Sequence, residues 1–356
     1  MSADVPPIRV ERVQVSRVAQ VQAAKEIAFS SVFSDHMLVA AFRNGRWQDA
    51  TIREYGPLAL PPNISSLQYG LSVFEGLKAH RTPNGRVALF RPRDNAARLN
   101  RSAFRMTLPE VPERLFLDGL RELVRLDQAW TPSLEQGALY IRPCLFSIDP
   151  SVRVKPPEEC LFVIVTFPFT SYYTGALDLL AEERYARAFP GGTGDIKAAG
   201  NYAPAMLAER EARNAGFHSV LWLDGETHSF VEECGVMNVF FLIGDSVVTP
   251  ALNGNILAGI TRNSAIRVMR DVGIEVIERA ISVDELLAAH DNGTLKECFG
   301  TGTAATLSHV QRIRVRGHDI RFPPITERSL GATVRNRLVQ IATGQITDTC
   351  EWLDYV

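Results

Sequence analysis

A lone lysine sits among glycines at 191–200, in the run Gly-Gly-Thr-Gly-Asp-Ile-Lys-Ala-Ala-Gly that places Lys197 near its end. Residues without a Cβ let backbone approach a flat ligand closely. An amine in a partly desolvated niche is a nucleophile toward a carbonyl carbon. The chain is otherwise poor in lysine, with only Lys25, Lys78, Lys155 and Lys296 besides Lys197. Lys78 follows a strand-like run and is the one serious rival for amine chemistry. The other three lie in polar or proline-rich surroundings and read as solvated. No Ser or Thr follows Lys197, so the loop is not a Walker phosphate loop. On this segment alone, a flexible surface loop with a solvated lysine is an equally good reading.

Two acids, Glu232 and Glu233, lead directly into the apolar run Val236–Phe241. A carboxylate at the mouth of such a strand needs a cationic or hydrogen-bonding partner, and a protonated pyridine nitrogen is one. A pair of solvated turn acids stays open here, with Glu232 reading as the solvated member. Phe299–Ala305 (FGTGTAA) formally matches a dinucleotide fingerprint, yet too little chain follows Gly300 for a nucleotide-binding half. Its backbone N–H groups and hydroxyls suit a phosphate or carboxylate instead. Gly259-Ile260-Thr261-Arg262, where a helix opens, is a second anion site of that kind. Tyr140 and Arg142 stand at i and i+2 on a strand, so both face one side and can converge on a carboxylate. Tyr69 and Phe74 add aromatic surface nearby in sequence.

The elements that must position these residues alternate in type. At 356 residues, two domains are the natural prior. A 46% hydrophobic, 22% charged composition is that of a globular chain. A formal charge of -2 gives no electrostatic case for nucleic acid or an anionic membrane. No apolar run is long enough to span a membrane and no signal core is visible, which leads to a cytoplasmic expectation. Five scattered cysteines lack metal-ligand spacing and read as reduced thiols, with no metal expected; the seven histidines read as structural or exposed.

Residues 1–35 read as an N-terminal arm and 36–167 as a small α+β domain. Residues 168–180 read as an interdomain loop, and 181–356 as a larger domain. In the first half, hairpin turns are expected at Arg43–Arg46 and Pro83–Arg86. A helix capped by Asp94 should run to Met106, and another should open at Pro112 with Phe116, Leu120, Leu123 and Val124 on one face. Strands are expected at Gly137–Pro143 and Cys160–Phe167. In the second half, strands should lie at Ser219–Leu223, Val236–Ile243 and Ile274–Glu278. Helices fall at Ala203–Ala215, Thr261–Val272, Ser282–His290 (with a Ser282–Glu285 capping box) and Ser329–Ala342.

In this order the segments resemble the branched-chain aminotransferases, fold-type IV enzymes that use pyridoxal 5′-phosphate (PLP). YGLSVFEGLKA, ALFRPRDNAARLNRSAFRM, LYIRP, GGTGDIKAAGNYAP, VLWLDG, EECGVMNVFF, VTPALNGNILAGITR and FGTGTAA span residues 69–305 in the family's order. The resemblance implies a mixed α+β and α/β, two-domain, D-amino-acid-aminotransferase-like architecture, whose large domain binds PLP. It implies a homodimer that exchanges amino groups between leucine, isoleucine or valine and 2-oxoglutarate. It makes Lys197 the catalytic lysine that bonds covalently to PLP, and Glu233 the partner of the pyridine nitrogen. Tyr202 would contact the ring phenol, while Arg98, Ile260, Thr261 and Thr303 would hold the phosphate. Tyr140, Arg142, Ala304 and Ala305 would receive substrate carboxylates. Tyr69 and Phe74 would line the side-chain pocket, partly across a dimer interface, and Tyr172 would act as a lid.

Two positions depart from the family pattern: Ala199 stands where a glycine is usual, and Val236 where threonine is common. A methyl in place of a hydroxyl at Val236 motivates the alternative that the donor is an aromatic or unusual β-branched amino acid. The Ala305–Ser308 segment carries no CxxC pair, so redox regulation there is not expected.

Overall fold

The computed structural model describes residues 7–22, 26–170, 175–326 and 329–356. Contacts divide the chain into two compact units. One is Met1–Tyr172 with Lys197–Gly200 and Gln340–Val356; the other is Tyr173–Ile196 with Asn201–Val339.

The first unit carries strands β1 (Ile8–Val10), β2 (His36–Arg43), β3 (Arg46–Trp47), β4 (Ala50–Glu54) and β5 (Ser72–Phe74). They are followed by β6 (Leu77–Arg81), β7 (Val87–Phe90), β8 (Ala138–Ser147) and β9 (Cys160–Phe169), and a last strand lies at Leu353–Tyr355. Its helices are α1 (Ala19–Gln22), α2 (Ser65–Tyr69), α3 (Pro92–Arg105) and α4 (Glu113–Leu126). The sheet runs β1-β4-β2-β9-β8-β6-β7 and then Leu353–Tyr355, with β3 on β2 and β5 on β8. The β2–β3 hairpin turns on Asn44 and Gly45, both at positive φ as a two-residue turn requires. Leu99 of α3 and Phe116, Leu120 and Leu123 of α4 are buried in one core with Leu38, Ile52 and Phe162 of the sheet. The Phe116 and Phe162 rings stack at 5.8 Å.

Three sequence expectations change in this unit. Asp94 does not cap α3: Pro92 already occupies the first turn and Arg91 is the cap residue, at φ 54°. Proline's fixed φ is pre-organised for that turn, and Asp94 instead accepts from Arg91 Nε at 2.8 Å. The N-terminal segment, read as an arm, contributes a strand to the sheet, β1 pairing parallel with β4. The Val13 N–H also donates to His36 Nε2 at 3.0 Å, and the Arg17 N–H to Asp35 at 3.0 Å. The C-terminal residues from Gln340 group with this unit rather than with the larger one. Their strand pairs with β7, and Arg91 N–H donates to the Trp352 carbonyl at 2.7 Å.

The second unit contains β10 (Leu177–Glu182), β11 (Ser219–Leu223), β12 (Val231–Cys234), β13 (Met237–Ile243), β14 (Ser246–Thr249), β15 (Val276–Glu278), β16 (Leu295–Gly302), β17 (Thr306–Val315) and β18 (His318–Arg321). Helices α5 (Ala205–Asn214), α6 (Ile260–Asp271) and α7 (Val283–Asp291) belong to it, and α8 (Leu330–Ala342) begins in it. Six strands close into a ring, β12-β11-β10-β17-β16-β13 and back to β12, which leaves no free edge within the ring. Leu179, Leu221, Val239, Phe241, Cys298 and Ile313 belong to its core. Half of the expected capping box forms: the Glu285 N–H donates to Ser282 Oγ at 3.0 Å, while the Glu285 carboxylate turns to Arg279. Among the described residues no helix is long and apolar enough to cross a membrane.

Truncating Phe116 to Ala removes a fully buried ring from the α4–sheet core. It should cost about 3–5 kcal/mol of unfolding free energy, read as a lower denaturant midpoint.

Candidate active site

Lys197 is held by its backbone before its side chain does anything. Its N–H donates to Ser102 Oγ at 3.0 Å, and its carbonyl accepts from the Phe74 N–H at 3.1 Å. Ala198 makes an antiparallel bridge with Val73, so the segment after the glycine loop is an added piece of strand beside β5. The Lys197 Nζ lies 4.8 Å from the Phe74 ring centroid. The Arg142 guanidinium stands 4.6 Å from the same centroid. Tyr140 and Arg142 meet as their strand spacing requires, Arg142 Nη2 donating to the Tyr140 hydroxyl at 3.3 Å. Arg142 Nε is buried and has no hydrogen-bond partner. Phe29, from the N-terminal segment, packs edge-on against Tyr140 at 4.9 Å, with Phe167 and Phe169 beside it. Nothing in the sequence periodicity marked Phe29.

Helix α3 projects Asn95, Arg98 and Ser102 along one face, at helical spacing. Ser102 anchors Lys197; Asn95 and Arg98 grip Glu75, which no sequence signal singled out. Arg98 donates through Nε and Nη2 to the two Glu75 oxygens at 2.7 and 2.8 Å, and Asn95 Nδ2 adds a bond of 2.8 Å. Glu75 is fully buried. Burial by itself would raise its carboxyl. The Arg98 charge and hydrogen bonds, then the Lys197 charge and Asn95, outweigh this and hold it below the usual range. Arg98, expected to meet a phosphate, is thus paired through two of its nitrogens with a carboxylate. Lys78 lies mid-strand in β6, opposite Tyr140, with Nζ 5.3 Å from the Phe169 centroid. Near it the half-buried His80 is pushed down to about 3, by desolvation first and the Lys78 charge second. Tyr69 ends α2, partly exposed, its hydroxyl donating to the Val152 carbonyl.

In the second unit, Glu233 of β12, Asn238 of β13 and Thr301 of β16 stand in direct register across three strands. All three are buried. Glu233 Oε1 accepts from the Leu257 N–H at 2.8 Å, and Oε2 lies 3.4 Å from Arg187 Nε. Asn238 Nδ2 donates to the Leu257 carbonyl at 2.9 Å. These bonds fasten the turn that delivers Ile260 and Thr261, both half-buried, to the first turn of α6. Gly259 must lack a side chain, since a Cβ there would meet Asn238 Oδ1 at 2.0 Å. Thr301 Oγ1 is buried without a partner. Thr303, Ala304 and Ala305 form the turn from β16 to β17, so GTGTAA opens no helix. Asn201 ties the glycine loop together, accepting from the Thr193 hydroxyl and donating to the Thr193 and Ile196 carbonyls. Tyr202 follows, half-buried, and Val236 sits 53% exposed in the β12–β13 turn. Tyr172 lies outside the described residues.

Glu232 is not solvated, as the sequence suggested. It is 2% exposed and accepts from Asn255 Nδ2 at 3.0 Å. Strand β12 is paired on both sides, by β11 and β13, which brings both acids inside. Arg187, the cation at Glu233, lies in a stretch of no periodicity and was not marked either. Among the described residues no group of His, Cys, Asp or Glu is placed to hold a metal ion.

The first unit thus carries a lysine pinned by its backbone beside a strand-borne Tyr–Arg pair, and the second carries a buried acid in register with Asn238 and Thr301. The profile of amino-transferase class IV matches residues 72–313. The chain belongs to the class IV aminotransferases. This aminotransferase is 42% identical over 331 residues to the branched-chain-amino-acid transaminase 1 of Bacillus subtilis, covering 92% of this chain and 93% of that one. It is similar in structure to the branched-chain aminotransferase of Thermoproteus uzoniensis with norvaline, at TM-score 0.75 and 26% identity, covering 90% of this chain and 99% of that one. The T.th. branched-chain amino acid aminotransferase complexed with N-(5′-phosphopyridoxyl)-L-glutamate matches at TM-score 0.71 and 26% identity, over 89% and 98% of the two chains.

Replacing Glu75 with Gln leaves Arg98 with an uncompensated buried charge, at a cost of about 3–5 kcal/mol at neutral pH. Because the folded carboxyl is depressed, the contribution of Glu75 is full above its ordinary value of 4.5 and fades as pH falls through the folded value. Denaturation curves of the two proteins should therefore diverge at neutral pH and converge in acid.

Proposed function

We propose that this class IV aminotransferase catalyses reversible transamination of leucine, isoleucine and valine with 2-oxoglutarate, using PLP held on Lys197. The observation that carries the reading is the fixation of Lys197: both backbone groups are bonded, and the amine is set against Phe74 near a buried carboxylate–guanidinium pair. Among the described lysines, this is the one so placed, in a glycine-flanked loop.

The residues present fit PLP by the chemistry of their donors. An amine suits its aldehyde, Glu233 suits a pyridinium N–H, and the N-terminus of α6 suits a phosphate. Thr301 Oγ1 and Arg142 Nε, each buried without a partner, are donors awaiting acceptors. When bound, PLP supplies the electron sink that makes the substrate's α-proton removable.

The chain's own residues do the rest. With PLP bound, the Lys197 amine would take up and return the substrate's α-proton. Glu233 would accept the ring N–H and Tyr202 would donate toward the phenolic oxygen. Ile260, Thr261, Thr303 and Arg98 bind the phosphate. Arg142 and Tyr140, with the backbone at Ala304 and Ala305, receive carboxylates. The aromatic wall of Phe29, Phe74, Tyr140 and Phe167 excludes water and takes the apolar side chain. When glutamate is the substrate, Arg142 answers its second carboxylate; when leucine is, the guanidinium rests on Phe74 and the Tyr140 hydroxyl.

The working form is a homodimer in the cytoplasm. In the first unit, Leu67 and Tyr69 of α2 and Val152 and Val154 of the following loop are exposed apolar side chains. The Tyr69–Val152 bond and the Ile64–Pro150 bridge hold these two segments together, which favours burial by a second copy. The described cysteines are all free, as suits a reducing compartment.

Borohydride reduction of the protein with PLP should fix the cofactor on Lys197, seen by peptide mass mapping. Lys197→Ala should lose the visible absorbance and at least about 10³-fold in turnover. Label on Lys78, or a donor panel in which leucine, isoleucine and valine hold no advantage over phenylalanine, would overturn the assignment.

A further inference from the structure

Behind Glu233, three buried polar atoms of one network have no hydrogen-bond partner: Glu232 Oε2, Asn255 Oδ1 and Arg187 Nε. Buried polar atoms are nearly always paired, so such a cluster needs a cause. Glu232 and Asn255 already share one bond, from Asn255 Nδ2 to Glu232 Oε1 at 3.0 Å. The two atoms left over are the remaining oxygens of the same two planar groups, and both are acceptors. A single proton resolves both. An O–H on Glu232 Oε2 directed at Asn255 Oδ1 would close acid and amide into a cyclic, doubly hydrogen-bonded pair.

The surroundings favour that proton. Burial is the largest influence on Glu232 and raises its carboxyl. Asn255 and Arg187 pull the other way, Glu233 and Asp224 add to the rise, and the net direction is upward. Arg187 has one charge for two adjacent acids, and its Nε lies 3.4 Å from Glu233 Oε2. Its Nη atoms donate to the Gly194 carbonyl at 3.3 Å, and Nη2 also donates to the Asn255 carbonyl. One guanidinium therefore joins Glu233, the Asn255 turn and the glycine loop that leads into Lys197. Glu233 also accepts the Leu257 N–H.

We infer that Glu232 is a neutral, proton-bearing acid paired with Asn255, and that this leaves Arg187 to Glu233, so the two neighbouring acids hold one negative charge, fixed at Glu233. Glu232 and Arg187 are positioning residues that act through Glu233, and the inference rests on the proposed role of Glu233 toward the PLP ring. Environments that push two neighbouring carboxyls apart are a recurrent way of assigning one a proton and the other a charge. Here the proton on Glu232 prevents two anions from competing for one arginine.

The test uses the PLP-loaded enzyme and follows the pH midpoint of its visible cofactor band together with kcat and KM for leucine. Glu232→Gln preserves shape, neutrality and both bonds to the Asn255 side chain. It should leave the midpoint within about 0.3 units and kcat within about twofold, and should remove a carboxylic-acid carbonyl band from the infrared spectrum. Arg187→Gln should move the midpoint by about one unit or more and lower kcat by about tenfold or more, with KM changed less than about threefold. Arg187→Lys should recover part of that loss. A Glu232→Gln protein with a displaced midpoint or a tenfold loss, or no acid carbonyl band in the wild type, would show a charged Glu232 and overturn the inference. An Arg187→Gln protein with unchanged midpoint and kcat would do the same. If Glu233→Gln itself leaves the band and turnover untouched, the role of Glu233 fails first, and that outcome is separate from the others.

Discussion

A carboxylate taken out of water stays an anion only where opposite charge and directed hydrogen bonds replace its solvent. Among its buried acids, this chain provides such partners to one notable carboxylate in each unit. Glu75 is met by Arg98 and Asn95, and Glu233 by Arg187 and the Leu257 N–H. Each pair is attached to the geometry of the chemistry. Arg98 shares a helix face with Ser102, which pins the Lys197 backbone. Arg187 bonds the carbonyl of Gly194, in the loop that leads to the same lysine. In each unit the buried pair is therefore tied to elements that also anchor loop backbone.

The scaffolds suit such sites because they are paired on every side. The closed six-stranded ring gives β12 neighbours on both edges, so its two acids are buried without leaving backbone groups unsatisfied. In the first unit, a largely antiparallel sheet covered by α3 and α4 makes a rigid floor from which Tyr140, Arg142 and Phe74 project. Rigid elements hold reacting groups more tightly than loops do. Within the second unit Asn201 ties Thr193 to Ile196, and within the first Ser102 and Phe74 hold the Lys197 backbone.

Much of this was legible locally. Strand Ser219–Leu223 lies where its β-branched and apolar run indicated, and the stripe Phe116, Leu120, Leu123 and Val124 is buried on α4. The Tyr140–Arg142 contact followed from strand alternation alone. By contrast β17, with Val310, Ile313 and Val315 buried, went unmarked because arginines and a glutamine break up its apolar positions. Helix α3 starts at Pro92 rather than after Asp94, because proline's fixed φ suits a first turn.

What the amino-acid order determined by itself was the reactive inventory: a lysine between glycines, an acid before an apolar strand, and a tyrosine two residues from an arginine. These depend on residue type and short spacing, which a chain carries before it folds. Only the tertiary structure decided the partners. Glu75, Arg187 and Phe29 meet Arg98, Glu233 and Tyr140 across separations of 23, 46 and 111 residues. Glu232 changed from a surface acid to a buried one when β11 and β13 closed around it. Burial and charge compensation are properties of what lies alongside a residue in space, and no local spacing encodes them.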